Sequence, residues 1–293
     1  MSVELQLSQS LCIEPHVKSA KPFIKWAGGK QSIARTLIDF FPRSFDKYYE
    51  PFLGGGSVFF TLSPQNAILS DENKWLIDTY LALKQDWKKV VDYLEKMVNT
   101  DQEFLRIRSV DPWTLNLFER AAQFIYLNKT CFRGLFRVNG SGGFNVPYGA
   151  YNRRYFDPEN LEAVSHVLAD TEIKSGDFEF GIDGISESDF VYFDPPYYKL
   201  GGYSDFNRYT SKQFREKDHF RLAALCRELD AKGVKWAVSN SNTEFVKDLF
   251  SGFQMHQVST RREINLDSQN RNVVELLITN YKVSISEKDT CKE

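Results

Sequence analysis

Cysteine is scarce and scattered. The four residues of this type, Cys12, Cys131, Cys226 and Cys291, form no CxxC pair. That spacing argues against a zinc site and against a disulfide framework, it is the usage expected in a reducing cytoplasm, and no metal is expected. Long apolar runs are also missing, so no stretch approaches the length of a membrane span. The first twenty residues hold Glu4, Glu14, Pro15 and His16 but no hydrophobic run, so no secretory leader is expected. Excess charge of either sign is lacking, the formal net charge being −2. A uniformly basic surface is thereby excluded, and any basic patch must be local. Two phosphate-cradling fingerprints, GxGxxG and GxxxxGK[ST], do not occur, which disfavours a nicotinamide dehydrogenase and a P-loop nucleotidase. There is no internal repeat and no low-complexity segment.

What is present is enough apolar material for a real core, 42% of 293 residues. A chain of that length holds one large domain or a domain with an insertion. The most informative stretch is Asp194-Pro195-Pro196-Tyr197 behind Phe190-Val191-Tyr192-Phe193. The apolar run, rich in β-branched and aromatic residues, predicts a buried strand. Two prolines stop it from continuing as a ladder, because they lack an N–H. A carboxylate, a backbone carbonyl and an aromatic face then share one short loop at a strand end, where open α/β sheets bind ligands. That set suits a planar ring bearing an amine.

Other strand ends carry acids too. Tyr48-Tyr49-Glu50 leads into Pro51-Phe52-Leu53-Gly54-Gly55-Gly56-Ser57, which predicts strand, glycine turn and helix. Ala67 to Ser70 predicts a second strand ending in Asp71. An acid at that tip, roughly 20 residues beyond a glycine turn, commonly holds ribose hydroxyls; the competing reading is a helix cap. Thr171 to Lys174 predicts a strand followed by Gly176-Asp177-Phe178. Upstream, Lys25-Trp26-Ala27-Gly28-Gly29-Lys30 marks a tight turn before a helix over Ser32 to Phe41.

Helices are predicted from Glu72 to about Leu83, across much of 85–129, from Pro158 to about Leu168, from Lys212 to Ala231 and from Thr243 to Phe250. Trp236 to Ser239 predicts a strand, and residues 253–260 and 273–281 predict an antiparallel pair around a polar loop. Lys199 to Ser211 reads as a loop able to close over a ligand. Cys131 to Tyr148, with alternating aromatics around Asn139-Gly140-Ser141-Gly142-Gly143, predicts a hairpin with a flexible tip. Arg120, Lys129, Arg133, Arg137, Arg153 and Arg154 fall in an interval without Asp or Glu. Bases interleaved with aromatics and asparagines suit nucleic acid.

These elements give an α/β fold with one mostly parallel sheet. Residues 1–84 and 166–293 form the sheet domain, with 1–21 as a loose arm. Residues 85–165 form a helical and hairpin insertion.

The motifs Lys25 to Lys30, Glu50 to Ser57, Phe144-Asn145-Val146-Pro147-Tyr148-Gly149 and Asp194 to Tyr197 occur in one order over residues 22 to 281. In that order they resemble the Dam-type, α-group adenine-specific DNA methyltransferases, a class also found in DpnII-like restriction systems. The resemblance implies a Rossmann-like methyltransferase sheet with an inserted DNA-recognition domain. It also implies S-adenosylmethionine as cofactor and methyl transfer to adenine N6 in double-stranded DNA, usually at GATC. By motif match, Trp26, Lys30, Asp71 and Asp194 bind the cofactor, and Phe52, Gly54, Asp177 and Phe178 line its pocket. Asp194, Pro195 and Tyr197 are the catalytic positions. Lys25 and Arg137 match base-contacting residues, Arg137 facing a guanine, while Arg133, Asn139, Arg153 and Arg154 belong to the DNA-facing set. Ala150 departs from the family, where a basic residue is common, so a phosphate contact is lost there or moved to Arg153 or Arg154. Nothing in the sequence identifies a partner endonuclease. Methylation of RNA or of a protein amide, and a silent DNA-binding module, are the competing classes.

Overall fold

A computed structural model describes residues 19–140, 142–198, 214–261 and 272–283. The expected N-terminal arm up to residue 18, the Lys199 to Ser211 loop, the polar loop between the last two strands, Cys12 and Cys291 lie outside the described residues. The chain runs α1 (Ala34–Ile38), β1 (Tyr48–Glu50), α2 (Ser57–Leu62), β2 (Ala67–Asp71) and α3 (Lys74–Leu94). It continues through α4 (Asp101–Ser109), α5 (Leu117–Thr130), α6 (Pro158–Leu168), β3 (Thr171–Ser175) and β4 (Phe190–Phe193). The remainder is α7 (Glu216–Ala231), β5 (Lys235–Ser241), α8 (Glu244–Leu249), β6 (Gln254–Arg261) and β7 (Asn272–Thr279).

Seven strands form one sheet in the order β3-β2-β1-β4-β5-β7-β6. β1 to β5 are parallel, while β7 runs antiparallel between β5 and β6. The sheet is buried on both faces, which is why β4 reads as a continuous apolar run rather than an alternating one. Tyr48, Leu69, Phe190, Tyr192 and Leu277 face one core. Tyr49, Ile68, Val191, Phe193, Trp236 and Leu276 face the other, beneath α7 and α8. Chain order reverses between β1 and β4, so their carboxyl ends flank the crevice where open sheets bind ligands.

The expected antiparallel addition is present, and two other expectations need correction. The expected helix end near Leu83 matches a kink in α3 at Asp86 (φ −162°, ψ 86°), whose carboxylate accepts from the Lys89 N–H at 3.2 Å, so the helix restarts there as if freshly capped. The first correction concerns α1, only Ala34–Ile38, because turns occupy the residues on either side. The second is the hairpin, which forms no ladder. Its bridges, Cys131 with Tyr148 and Val138 with Phe144, are isolated. Pro147 lacks an N–H, and Phe132–Gly134 coils into a short helical turn containing Arg133 at φ 59°. Packing holds the segment instead: Phe136 and Phe144 are buried against Phe104, Phe124 and Trp75. No helix among the described residues is long and apolar enough to cross a membrane.

Candidate active site

The glycine turn follows β1 and is built around a carboxylate. Asp71, at the end of β2, accepts from the Gly54 N–H and the Asn73 N–H, both at 2.9 Å. Gly54 (φ 49°) and Gly56 (φ 68°) adopt left-handed conformations that favour glycine. A Cβ on Gly54 would lie 2.6 Å from Trp26 Cδ1. Trp26 stacks in turn on Phe136 at 5.5 Å, joining the turn to the aromatic segment. Asp71 is not the helix cap; Asn73 caps α3 by accepting from the Leu76 N–H. Burial raises the Asp71 carboxyl to about 6 against the two backbone hydrogen bonds. An ionised carboxylate offers about four acceptor positions, so two remain for hydroxyl donors.

At the crevice, Lys30 and Asp194 meet. The buried Lys30 Nζ lies 2.9 Å from Asp194 Oδ1, donates to the Gly28 carbonyl at 2.6 Å and sits 4.6 Å from the centre of the Tyr197 ring. Burial raises the Asp194 carboxyl to about 6; Lys30 opposes the rise. Glu50, at the tip of β1, is more deeply buried and accepts from the Tyr48 phenol at 2.8 Å. Burial pushes it up to about 8, with Asp194 adding to the rise.

A second wall is aromatic. Phe52 stacks on Phe178 with centroids 5.4 Å apart, and Phe214 meets Phe52 at 5.7 Å. Asp177 pairs with Arg221 through both oxygens, at 2.9 and 3.2 Å. The Arg221 guanidinium also covers the Phe178 ring at 4.8 Å.

The expected nucleic-acid residues divide. Arg120 is committed elsewhere, in a buried pair with Asp78 at 3.0 Å, so it leaves the basic set. Lys25 is exposed, and its backbone is held from both sides by the Asn128 amide at 2.8 Å. Arg137 is exposed and reaches across the segment, donating to the Asn145 side chain at 2.7 Å and the Asn145 carbonyl at 3.3 Å. Asn139 closes the tip through its carbonyl-type side-chain oxygen, which accepts from the Gly143 N–H. Arg153 stacks on Tyr151 and Arg154 on Phe156, with both guanidinium groups exposed. The Arg133 N–H donates to the Tyr151 hydroxyl at 2.8 Å. Burial lowers the Lys129 ammonium, and the nearby charges of Lys25 and Arg153 add to the fall. Ala150 holds φ 51°, a strained conformation for alanine.

Two residues of the crevice were not singled out from the sequence. Glu275 on β7 accepts from the Tyr197 phenol at 2.8 Å. Asn240 on β5 accepts from the Tyr198 N–H at 3.2 Å. The one available clue to Glu275 was a lone acid inside the apolar run Val273 to Ile278.

A mixed seven-stranded sheet with a glycine turn after its first strand and a row of buried acids at its carboxyl edge is the framework of a methyltransferase. A profile of the D12 class N6 adenine-specific DNA methyltransferases matches residues 26–264, and the chain belongs to that family. Among its relatives is the type II methyltransferase M.MjaIII of Methanocaldococcus jannaschii, 40% identical over 288 residues covering 89% of this chain and 99% of the relative. The type II methyltransferase M1.LlaDCHI of Lactococcus lactis subsp. cremoris is 36% identical, covering 89% of this chain and 95% of its own. A DNA adenine methylase of Haemophilus influenzae is 30% identical, with 91% and 95% covered.

Proposed function

We propose that this adenine-specific DNA methyltransferase uses S-adenosylmethionine and acts on an adenine flipped out of duplex DNA, within GATC. The observation that carries the proposal is the meeting of Lys30, Asp194 and Tyr197 at the crevice between β1 and β4.

The residues present fit the cofactor. Lys30 suits a carboxylate, Asp71 has acceptor capacity for ribose hydroxyls, and the Phe52 and Phe178 wall suits an adenine ring. Trp26 and Gly54 shape the floor, while Asp194 provides negative charge for a sulfonium. Asp177 joins this set with part of its capacity already taken by Arg221. When bound, the cofactor supplies the activated methyl group; the protein supplies placement and electrostatics.

Adenine N6 is a poor nucleophile because its lone pair is delocalised into the ring, and within a duplex it is out of reach. Lys30 takes Asp194 Oδ1 and leaves Oδ2 to accept one N6–H; the Pro195 carbonyl accepts the other. Those bonds favour a pyramidal nitrogen and ease its developing positive charge. Tyr197 offers its face to the flipped ring.

Residues 85–165 act as the recognition insertion. Arg137 reads a guanine, since its fork matches O6 and N7. Lys25 contacts bases beside it, Asn139 shapes the tip, and Arg133, Arg153 and Arg154 hold phosphates, which position the duplex without specifying it. The protein works in a reducing cytoplasm; its two described cysteines, Cys131 and Cys226, are free and buried. Transfer of tritiated methyl groups to duplexes carrying GATC and its single-base variants tests the whole proposal. We expect label in N6-methyladenine of GATC alone. Label in another base, or equal label in every duplex, overturns it.

A further inference from the structure

β7 runs against the other strands beside it, so its first half lies at the carboxyl edge where β5 ends. Glu275 pairs in register with Ser241, the last residue of β5. It is a buried acid on an otherwise apolar strand, and its Oε2 accepts from the Tyr197 phenol. The Lys30 ammonium lies 4.6 Å from the centre of the same ring. The residues on either side fix the backbone: Asn240 Oδ1 accepts from the Tyr198 N–H, and the Ser241 hydroxyl donates to the Tyr198 carbonyl at 2.6 Å. Tyr197 is thus gripped at its hydroxyl by β7 and at its following peptide by β5.

Resting on the role proposed above for Asp194 and Tyr197, we propose that Glu275 is a positioning residue for methyl transfer. It acts through the Tyr197 phenol, fixing the ring's orientation and enriching its face for a base that becomes positively charged. A phenol donating to a carboxylate gains electron density in the ring, and an electron-rich face holds a cation better. Burial, Asp194 and Glu275 all keep that phenol well above its ordinary value, so it remains the donor.

Four variants test this under single-turnover conditions: Glu275→Ala, Glu275→Gln, Tyr197→Phe and the double variant Glu275→Ala/Tyr197→Phe. Loss of one hydrogen bond to a charged group predicts a rate fall of roughly tenfold to a hundredfold for Glu275→Ala, with duplex affinity unchanged. Glu275→Gln, whose amide oxygen still accepts from the phenol, recovers most of the rate. Tyr197→Phe reproduces the loss, and the double variant falls no further. A duplex with 2-aminopurine at the target position gives brighter fluorescence with Glu275→Ala, because the flipped base stacks less firmly. Tyr197→Phe removes a single oxygen and keeps the test alive if Glu275→Ala does not fold. Multiplying losses in the double variant, absence of rescue by Gln, or an unchanged 2-aminopurine signal would overturn the inference. If Asp194→Ala and Tyr197→Ala both retained full rate, the underlying reading of the site would fail instead. If those two were inactive while Glu275→Ala and Tyr197→Phe kept the wild-type rate, only the role of Glu275 would fail.

Discussion

Glu50→Gln should make the protein more stable, by an amount that depends on pH. Glu50 is buried at the tip of β1, where it accepts a hydrogen bond from the Tyr48 phenol. Burial raises its carboxyl from the ordinary 4.5 to about 8, with Asp194 adding to the rise and the Tyr48 phenol, the Phe59 amide and Lys30 opposing it. Between pH 4.5 and about 8 the folded protein therefore keeps a proton that the unfolded chain has released. Stability falls as pH rises through that window, by about 1.4 kcal/mol per pH unit. At pH 7 the carboxyl costs about 3 kcal/mol. Glutamine has the same shape, and its amide presents one acceptor and one donating side, as the protonated acid does. It does not titrate, so the penalty disappears. Asp71 and Asp194 titrate in both proteins and cancel in the difference. Melting curves of the two proteins, compared from pH 5 to pH 8, provide the assay. The gap should widen from near zero at the acidic end to roughly 5 °C at neutral pH and above. A gap independent of pH, or a variant less stable throughout, would refute the reasoning.

Asp194→Ala should leave a folded protein with no more than a few per cent of the single-turnover rate. In the wild type that rate should rise with pH through about 6, where Asp194 ionises and becomes an acceptor, and then level off. Asp71→Ala should weaken cofactor binding at least roughly tenfold, with two buried N–H groups losing their acceptor, while duplex affinity holds; calorimetric titration measures both. Arg137→Ala should lower activity on GATC and raise relative activity on sites altered at one guanine, a discrimination of roughly 1–3 kcal/mol read from kinetics on single-base variants. Arg153→Ala should weaken all duplexes alike and flatten the salt dependence by roughly one unit of slope.

The sheet and its edge were legible because each buried strand ends at a residue that breaks the pattern. Pro195, the Gly54 turn and Gly176 punctuate the strands, and the acids beside them fall at one edge once parallel pairing is assumed. The antiparallel addition followed from two strands separated by a loop too short for a crossover helix. Contacts between distant segments were not legible. Nothing local distinguishes Arg120 from the other bases; its partner Asp78 is met only because α3 and α5 pack together. Asp177 looked like the other acids of the edge, yet Arg221 on α7 claims it. Glu275 reaches the crevice through strand direction alone, a property no single segment encodes. The hairpin was over-regularised because alternation of aromatics marks burial, and burial here comes from packing on α5 rather than from a ladder.

The contact between Trp26 and Gly54 constrains which sequences are reachable from this one. A methyl group at position 54 collides with the indole, so any larger residue there requires a smaller one at 26. Shrinking residue 26 withdraws the ring against which Phe136 and Phe124 stack, and so loosens the segment that carries Arg137. Neither position can change first without loss, and the two behave as a single heritable unit. A mutational walk toward a different turn at position 54 therefore passes through variants whose packing around Phe136 is already loosened. Libraries that randomise positions 26, 54 and 136 together should recover active combinations that libraries varying them one at a time miss.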